Sequence, residues 1–471
     1  MRLSKDLKMI QASTLLNVIG QCQTWNSECT RAFKVKTDSR KVKDGDIFFA
    51  LRGERFDAFN FIKDVVDAHP AAIVFEGAEG RDEQLKTLVK NNPDIFFIQT
   101  SSSLDILQKL ARQHRENWSQ GKKEVLGLTG SNGKTTAKEI LRALIGKIIG
   151  NALHCTEGNL NNHIGVPLTL LELEDHHELA IVEMGTNHAG EIADLCNIAL
   201  PTCGFITNIG TAHIEHFKSP QNIFKEKRSL YESIMTSTQK SHFVLNEDDE
   251  FLKKLPIVEG VKTFGRNSED FRVECDYDKL TIEFGEEERE IKNTNLCGKH
   301  VYQNLGLALS LSILLFPKHK EELLEKAEEI TLPSNNRGEW QIVGDTSLFL
   351  DAYNANPNSM RASLETFAYQ QNKLGIDQKE RLYILGDMNE LGDLSLDFHR
   401  ESGEFLRDLG AVNVYFIGHY AHAYAEGFGG GNVFLHREEA EDYYKNQKAK
   451  FKSVFLKASR SLQLESMTAI F

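Results

Sequence analysis

No two of the seven cysteines form a C-x-x-C pair, and Cys22, Cys29, Cys155, Cys196, Cys203, Cys275 and Cys297 are odd in number and thinly spread. That spacing offers no disulfide framework, and a reduced cytosol suits it best. Positive charge is also scarce: 55 lysines and arginines stand against 68 aspartates and glutamates, a net charge of -13. Binding a phosphate backbone needs a basic face, so no nucleic-acid partner is expected. An anionic nucleotide is still accommodated, because loop amides and one or two lysines suffice.

Long apolar runs are missing too. LGLALSLSILLF, from Leu305, falls far short of the roughly 20 residues that span a bilayer, so it reads as a buried helix and the chain as not membrane-embedded. The start, MRLSKDLKMIQASTLLNVI, has lysines and an aspartate where a signal peptide needs an unbroken apolar stretch; a cytoplasmic location is expected. The 9 prolines and 34 glycines show no collagenous or low-complexity bias. Nothing demands more than a monomer.

What the chain does have is length. Its 471 residues exceed the roughly 250 to 300 at which one hydrophobic core stops growing, and the pattern divides them into three α/β domains. Residues 1–120 form a small α/β domain. From Phe33, GDIFFAL, FIKDVVDAH, AAIVFE, DIFFIQT and SSSLDILQKLARQHREN alternate strand and amphipathic character, with Ser101 to Ser103 ahead of the last helix as an N-cap. The polar stretch WSQGKK marks a boundary. Residues 121–333 form a central P-loop domain with a mostly parallel sheet, because EVLGL, ELAIVEMG and CGFITNIG are near-continuously apolar and suit strands covered on both faces. FRVECDYDKLTIEFGEEEREI alternates instead, as an antiparallel ribbon at the sheet's edge. TLPSNNRGEW is the second linker, and residues 334–471 resume strand and helix as a Rossmann-like, doubly wound domain.

The sharpest signal is LTGSNGKTTAKEI, from Leu128 to Ile140. The long P-loop pattern G-x-x-x-x-G-K-[ST] fails, since its opening glycine would fall on Leu128. A compact G-x-x-G-K-T-T remains, directly after a strand and opening a helix. Unpaired amides and the dipole at a helix start favour an anion. Gly130, Ser131, Asn132, Gly133, Lys134, Thr135 and Thr136 are therefore the expected phosphate cradle, with Lys134 reaching the terminal phosphates and the Thr135 hydroxyl placed for Mg²⁺. Glu183 and His213 fall at carboxyl ends of parallel strands, where open α/β sheets bind ligands. Taken alone, such a Glu or His is more often a capping or solvent residue.

TGSNGKTT, TEGNLNNHIGVPLTLL, EMGTNHAGEI, NIGTAHIEHF, GKHVYQN, DAYNANPNSM, LGDMNELG and LKASRS stand in an order that resembles the Mur ligase family of peptidoglycan synthesis, essentially end to end. Within it, EMG and YNANP are similar to the members that add a terminal dipeptide. The resemblance implies an ATP-dependent amide ligase whose partners are UDP-N-acetylmuramoyl-tripeptide and D-Ala-D-Ala, working through an acyl phosphate. It implies that Lys134 contacts the β and γ phosphates, that Thr135 and Glu183 serve one Mg²⁺, and that His213 serves a second. In FKEKRSLYESI it makes Lys227 a carbamylated lysine and metal ligand. Asn304, with His300 beside it, falls near the adenine; Arg337 and Asp351 touch the nucleotide when the domains close. Ser39 and Arg40 lie near the nucleotide sugar of the muramyl substrate, and Thr156, Asn161 and Asn354 are expected at the substrate. Ser359 is the expected cap of the helix after YNANP. Where the family usually reads DGH the chain has Asp57, Ala58 and Phe59, departing at the last two, and it has Ala458 where a glycine is usual.

Three rivals carry other predictions. A folylpolyglutamate-type ligase shares the central chemistry but not the Ser39 segment or YNANP. A sibling ligase would add a diamino acid. A non-catalytic scaffold would lack the metal and phosphate residues, and Lys134, Thr135, Glu183, His213 and Lys227 are all present.

Overall fold

Apolar runs flanked by turn residues become the strands of three separate sheets. The computed structural model describes residues 12–20, 22–26, 34–54, 56–77, 80–120, 123–237, 241–334, 336–447 and 450–471. Phe33, Cys29, Gly121, Lys122 and Asn335, which belong to stretches discussed above, lie outside them.

The first sheet orders its strands Gln23–Trp25, Phe96–Thr100, Ala72–Glu76, Ile47–Phe49 and Val35–Lys36, parallel except for the first, which pairs antiparallel through Gln23 and Gln99. That edge strand and the helix Ala12–Ile19 before it precede the region where the sequence pattern was legible. The helix Ser103–Ser119 is capped by Ser102, whose hydroxyl accepts from the Asp105 amide at 3.1 Å. Its apolar stripe, Leu107, Leu110 and Ala111, shares a core with Val125, Val166, Leu170 and Leu195 of the central unit. Burying each leucine contributes about 2 kcal/mol. Arg115 adds a polar tie, donating to the carbonyls of Ala199 and Leu200 at 2.8 Å each, where the helix Glu191–Ala199 ends with unpaired acceptors. The polar stretch read as a boundary holds the end of this helix: Trp118 is buried and its indole donates to the Glu174 carbonyl at 3.0 Å.

The central sheet runs Glu287–Ile291, Leu280–Phe284, Phe271–Cys275, Val261–Gly265, His242–Asn246, Cys203–Ile206, Glu124–Thr129, Leu179–Glu183 and Leu153–Cys155. Seven strands are parallel; the first two form the antiparallel ribbon. Alternate residues of Glu124–Thr129 enter different cores, Val125 on one face and Leu126 with Leu128 on the other, as the two-residue period of a strand requires. The helix Lys299–Leu315, carrying the apolar run noted above, is buried along almost its whole length. Among the described residues no helix is long and apolar enough to cross a membrane.

The third sheet orders Glu339–Val343, Thr346–Asp351, Ser453–Lys457, Arg381–Gly386, Asn413–Ile417 and Asn432–Phe434. All pairs are parallel except the first, so the linker stretch TLPSNNRGEW already enters a strand at Glu339. Helices cover both faces: Phe349, Tyr383, Phe416 and Phe455 face one core, and Leu348, Ile384, Tyr415 and Leu456 the other.

Candidate active site

The phosphate loop joins the strand Glu124–Thr129 to the helix Lys134–Ile149. Two of its positions admit only glycine. Gly130 has φ 155° and a Cβ there would lie 1.8 Å from Thr207 Oγ1; Gly133, at φ 79°, would set one 2.4 Å from Asn304 Nδ2. The neighbouring strand end braces the loop: Ser131 N donates to Asn208 O and Asn132 N to Asn208 Oδ1, both at 3.0 Å, while Thr207 Oγ1 donates to Asn132 O at 2.6 Å. The first amides of the helix, from Lys134 on, have no intrahelical acceptor and point where an anion would sit.

Lys134 is half-buried and folds onto the loop, its Nζ donating to Gly130 O at 2.7 Å and Ser131 O at 3.4 Å. Burial pulls its ammonium below the usual lysine value; Glu183 and Glu390 oppose that shift and Arg337 adds to it. Four groups from two units thus meet in one field around the loop.

Glu183 ends the strand Leu179–Glu183 and is buried. Its Oε1 accepts from Thr135 Oγ1 at 3.2 Å and from Asn161 Nδ2 at 2.8 Å, and its amide donates to Thr156 Oγ1 at 3.0 Å. Asn161 and Thr156, expected at the substrate, are therefore engaged with Glu183, Asn161 at its carboxylate and Thr156 at its backbone amide. The other oxygen, Oε2, is buried without a hydrogen-bond partner. An unpaired buried carboxylate oxygen is costly unless a cation completes it, so Thr135 and Glu183 fit Mg²⁺, which takes oxygen ligands. Among the described residues no group of three or more His, Cys, Asp and Glu forms a metal cluster.

Among the described residues no hydrogen bond joins His213 or Lys227 to that pair. His213, in the left-handed region at φ 60°, caps the short helix Ile214–Phe217 and meets Glu390 of the third unit through Nδ1. That contact holds the Glu390 carboxyl below its ordinary value, against the effect of burial. Lys227, on the helix Pro220–Met235, is buried. Burial drives its amine well below the usual lysine value and the Lys134 charge adds to this, against Glu226. Glu226 is committed elsewhere, accepting from the amides of Gly190 at 2.6 Å and Ile192 at 2.7 Å.

The third unit reaches the loop through YNANPNS. Asn356 Nδ2 donates to Asn132 Oδ1 at 2.6 Å, and Asn358 Oδ1 accepts from the amide and hydroxyl of Thr211 at 3.0 and 2.8 Å. Asn356, not Ser359, is the N-cap of the helix Pro357–Lys373; Ser359 is the other half of a capping box, its Oγ accepting from the Asn356 amide at 3.0 Å. Pro357 at the first helical position places the cap one residue before it. Asp351 pairs with the buried Lys457 at 2.5 Å, and Lys457 also donates to Asn354 O at 3.2 Å, so Asp351 and Asn354 share one cation. The Arg337 guanidinium stacks 3.8 Å from the Tyr353 ring centre. The surrounding protein lowers the pKa of His300 to about 4, with the Asp351 charge opposing the shift and the Lys457 charge adding to it. Asn304 packs against Gly133.

Ser39 and Arg40 sit elsewhere, on the single turn Ser39–Lys41 of the first unit, with Arg40 paired to Asp38 at 2.9 Å. Among the described residues no hydrogen bond links them to the phosphate loop. Residues that the sequence reading passed over include Asn208, Asn356, Asn358, Glu390 and Lys457. All of them lie inside a quoted motif, and only their partners, far off in sequence, reveal their roles.

The same architecture recurs in known proteins. Two family profiles match the chain, the Mur ligase middle domain over residues 128–312 and the Mur ligase, glutamate ligase domain over residues 337–460. The UDP-N-acetylmuramoyl-tripeptide--D-alanyl-D-alanine ligase of Bacillus subtilis is 30% identical over 448 residues, covering 92% of each chain. A crystal structure of MurF from Acinetobacter baumannii superposes with a TM-score of 0.84 at 28% identity, covering 98% of each chain. MurF ligase from Thermotoga maritima, solved in complex with ADP, superposes with a TM-score of 0.76 at 26% identity over 93% of this chain and 96% of that one. With its phosphate loop, its buried carboxylate and a third unit docked on that loop, the chain belongs to the Mur ligase family.

Proposed function

We propose that this chain is an ATP-dependent ligase that joins D-Ala-D-Ala to UDP-N-acetylmuramoyl-tripeptide in the cytoplasmic synthesis of peptidoglycan precursors. The observation that carries the reading is the unpartnered Oε2 of Glu183 beside Thr135, at a phosphate loop onto which the third unit is already docked through Asn356. The relatives named above, similar over nearly the whole chain, supply the substrates.

A terminal carboxylate oxygen of the tripeptide attacks the γ-phosphorus of ATP, the bond to the bridging oxygen breaks, and ADP leaves. The amine of D-Ala-D-Ala then attacks the acyl carbon of the resulting acyl phosphate. The tetrahedral intermediate loses inorganic phosphate, the nitrogen loses a proton, and an amide remains. The protein's share is positioning and charge. The helix-start amides and Lys134 hold the β and γ phosphates, and Lys134 stabilises charge on the migrating group. Thr135 and Glu183 would hold one magnesium ion and His213 with a carbamylated Lys227 a second, and the ions would supply neutralisation between the two reacting anions. Lys227 suits that modification because its buried amine is drawn to the neutral form, the form that attacks CO₂. Carbamylation would also turn a repulsion with Lys134 into an attraction. Asn304 and His300 face the adenine, Arg337 and Asp351 the nucleotide from the third unit, and Ser39 with Arg40 the uridine end of the muramyl substrate. Because these groups span three units, turnover needs the units closed.

ADP release in a coupled assay should require ATP, UDP-muramyl-tripeptide and D-Ala-D-Ala together. Label placed in the tripeptide's terminal carboxylate oxygen should appear in the released phosphate. ADP release triggered by a diamino acid or by folate with glutamate, or phosphate free of label, would defeat the proposal.

A further inference from the structure

Behind the Glu390 loop lies a histidine that the reaction as described does not use. His399, on the helix Ser395–Asp408, is fully buried. Its Nε2 accepts from the Met388 amide at 3.0 Å, and its Nδ1 lies 2.6 Å from the Ser395 carbonyl. A carbonyl only accepts, so Nδ1 carries the proton, and an amide only donates, so Nε2 is bare: the two bonds fix one neutral tautomer. Tyr420 and Tyr424 pack the ring from two sides, at 4.7 and 4.8 Å between centres.

Met388 is two residues before Glu390, and the whole segment between is tied down. Tyr424 donates to Gly386 O at 3.0 Å, Asp387 accepts from the amides of His419 and Tyr420 at 2.8 and 3.0 Å, and Asn389 N donates to Ser459 Oγ at 2.9 Å. These ties hold Glu390 in the left-handed region at φ 63°, a conformation that costs a non-glycine residue energy and persists only where the surroundings impose it. Glu390 then pairs with His213, itself left-handed at φ 60°, and its carbonyl accepts from the Glu215 amide at 3.1 Å.

We propose that His399 is a positioning residue of the ligase: by holding the Met388 amide it aims the Glu390 carboxylate across the interface onto His213, and so sets the imidazole beside the phosphate loop. The inference rests on the ligase reading above. It concerns a side chain that touches no substrate and acts through two others.

The test is a double-mutant cycle on the full chain. In the ADP-release assay with all three substrates, His399→Leu should lower kcat about tenfold to a hundredfold, since it leaves a buried amide without its acceptor. His399→Gln, which offers an acceptor to Met388 and a donor to Ser395, should keep kcat within about threefold of the parent. In a Glu390→Gln background the leucine substitution should cost less than about twofold more, because the group it acts through is already impaired. If His399→Leu does not fold, His399→Asn, whose shorter amide falls short of Met388, takes its place. A glutamine variant as impaired as the leucine one, or an undiminished penalty in the Glu390→Gln background, overturns the proposal. A parent enzyme silent with these substrates overturns the ligase reading instead. Hydrogen exchange at the Met388 amide then decides the inference, fast in His399→Leu and slow in His399→Gln if it holds, and unchanged between them if it does not.

Discussion

Asn356 of the third unit donates its amide hydrogen to the side chain of Asn132 in the phosphate loop, 2.6 Å away and 224 residues distant in sequence. The same side chain caps a helix, its Oδ1 accepting from Ser359 N at 3.0 Å. Asn356→Ser separates the two roles, because serine is a comparable N-cap but cannot reach Asn132 with a donor. The variant should melt within a few degrees of the parent while kcat/KM for ATP drops about tenfold, as one interfacial hydrogen bond is lost at the point of closure. A thermal melt and initial rates measured together check this; an unchanged rate means that the contact does not assist catalysis.

Thr156 and Asn161 are engaged with Glu183, which sets a choice between holding substrate and orienting a metal-binding carboxylate. Asn161→Ala removes one of two donors to Oε1. If Asn161 works through Glu183, the Mg²⁺ concentration giving half-maximal rate should rise about tenfold with the muramyl-peptide KM nearly unmoved. A raised muramyl-peptide KM at constant Mg²⁺ dependence would return Asn161 to the substrate. Glu183→Gln, of the same shape without the charge, should cost far more, about a hundredfold or beyond in kcat.

The parts of this site that a sequence displays are those built from neighbours in the chain. Strand, glycine turn and helix start follow one another between Glu124 and Ile149, so the cradle of Gly130, Lys134 and Thr135 was legible from local chemistry. Glu183 was legible as a strand end. What Glu183 touches was not, because Asn161 lies on a loop whose return to the sheet depends on packing rather than on pattern. The same holds for Glu390 and His213, which meet only when two units dock. Ser359 and Asn356 are both good cap formers three residues apart, and a capping box uses both, so residue type alone assigned the cap to the wrong one. The strand Gln23–Trp25 escaped for another reason: three residues, two of them exposed, carry no period to read.

Lys134→Ala should abolish ligation and leave the fold intact. Among the described residues its amine donates to the loop's own carbonyls, Gly130 O and Ser131 O. Burial already disfavours its charge, so truncation removes a group that contributes little to stability. ADP release should fall to background and the melting profile should match the parent; turnover retained by a normally folded variant would remove the lysine from the phosphate site.

Lys227 makes opposite demands on stability and activity, and this gives the most discriminating pair of measurements. In the folded chain its amine loses the proton well below the ordinary lysine value of 10.5, because it is buried and faces Lys134. The unfolded chain keeps that proton up to the ordinary value, so between the two values the unfolded state binds more protons and native stability falls as pH falls. Lys227→Met fills similar space without this linkage. In CO₂-free buffer near neutral pH it should melt above the parent, and the gap should close as pH rises toward 10.5. Activity should go the other way. The methionine variant should not turn over, and Lys227→Ala should regain part of its rate with short-chain carboxylates, which take the place of the carbamate. A methionine variant that melts below the parent would mean the amine is charged and paired in the fold, and an alanine variant unmoved by any carboxylate would mean that no carbamate forms there.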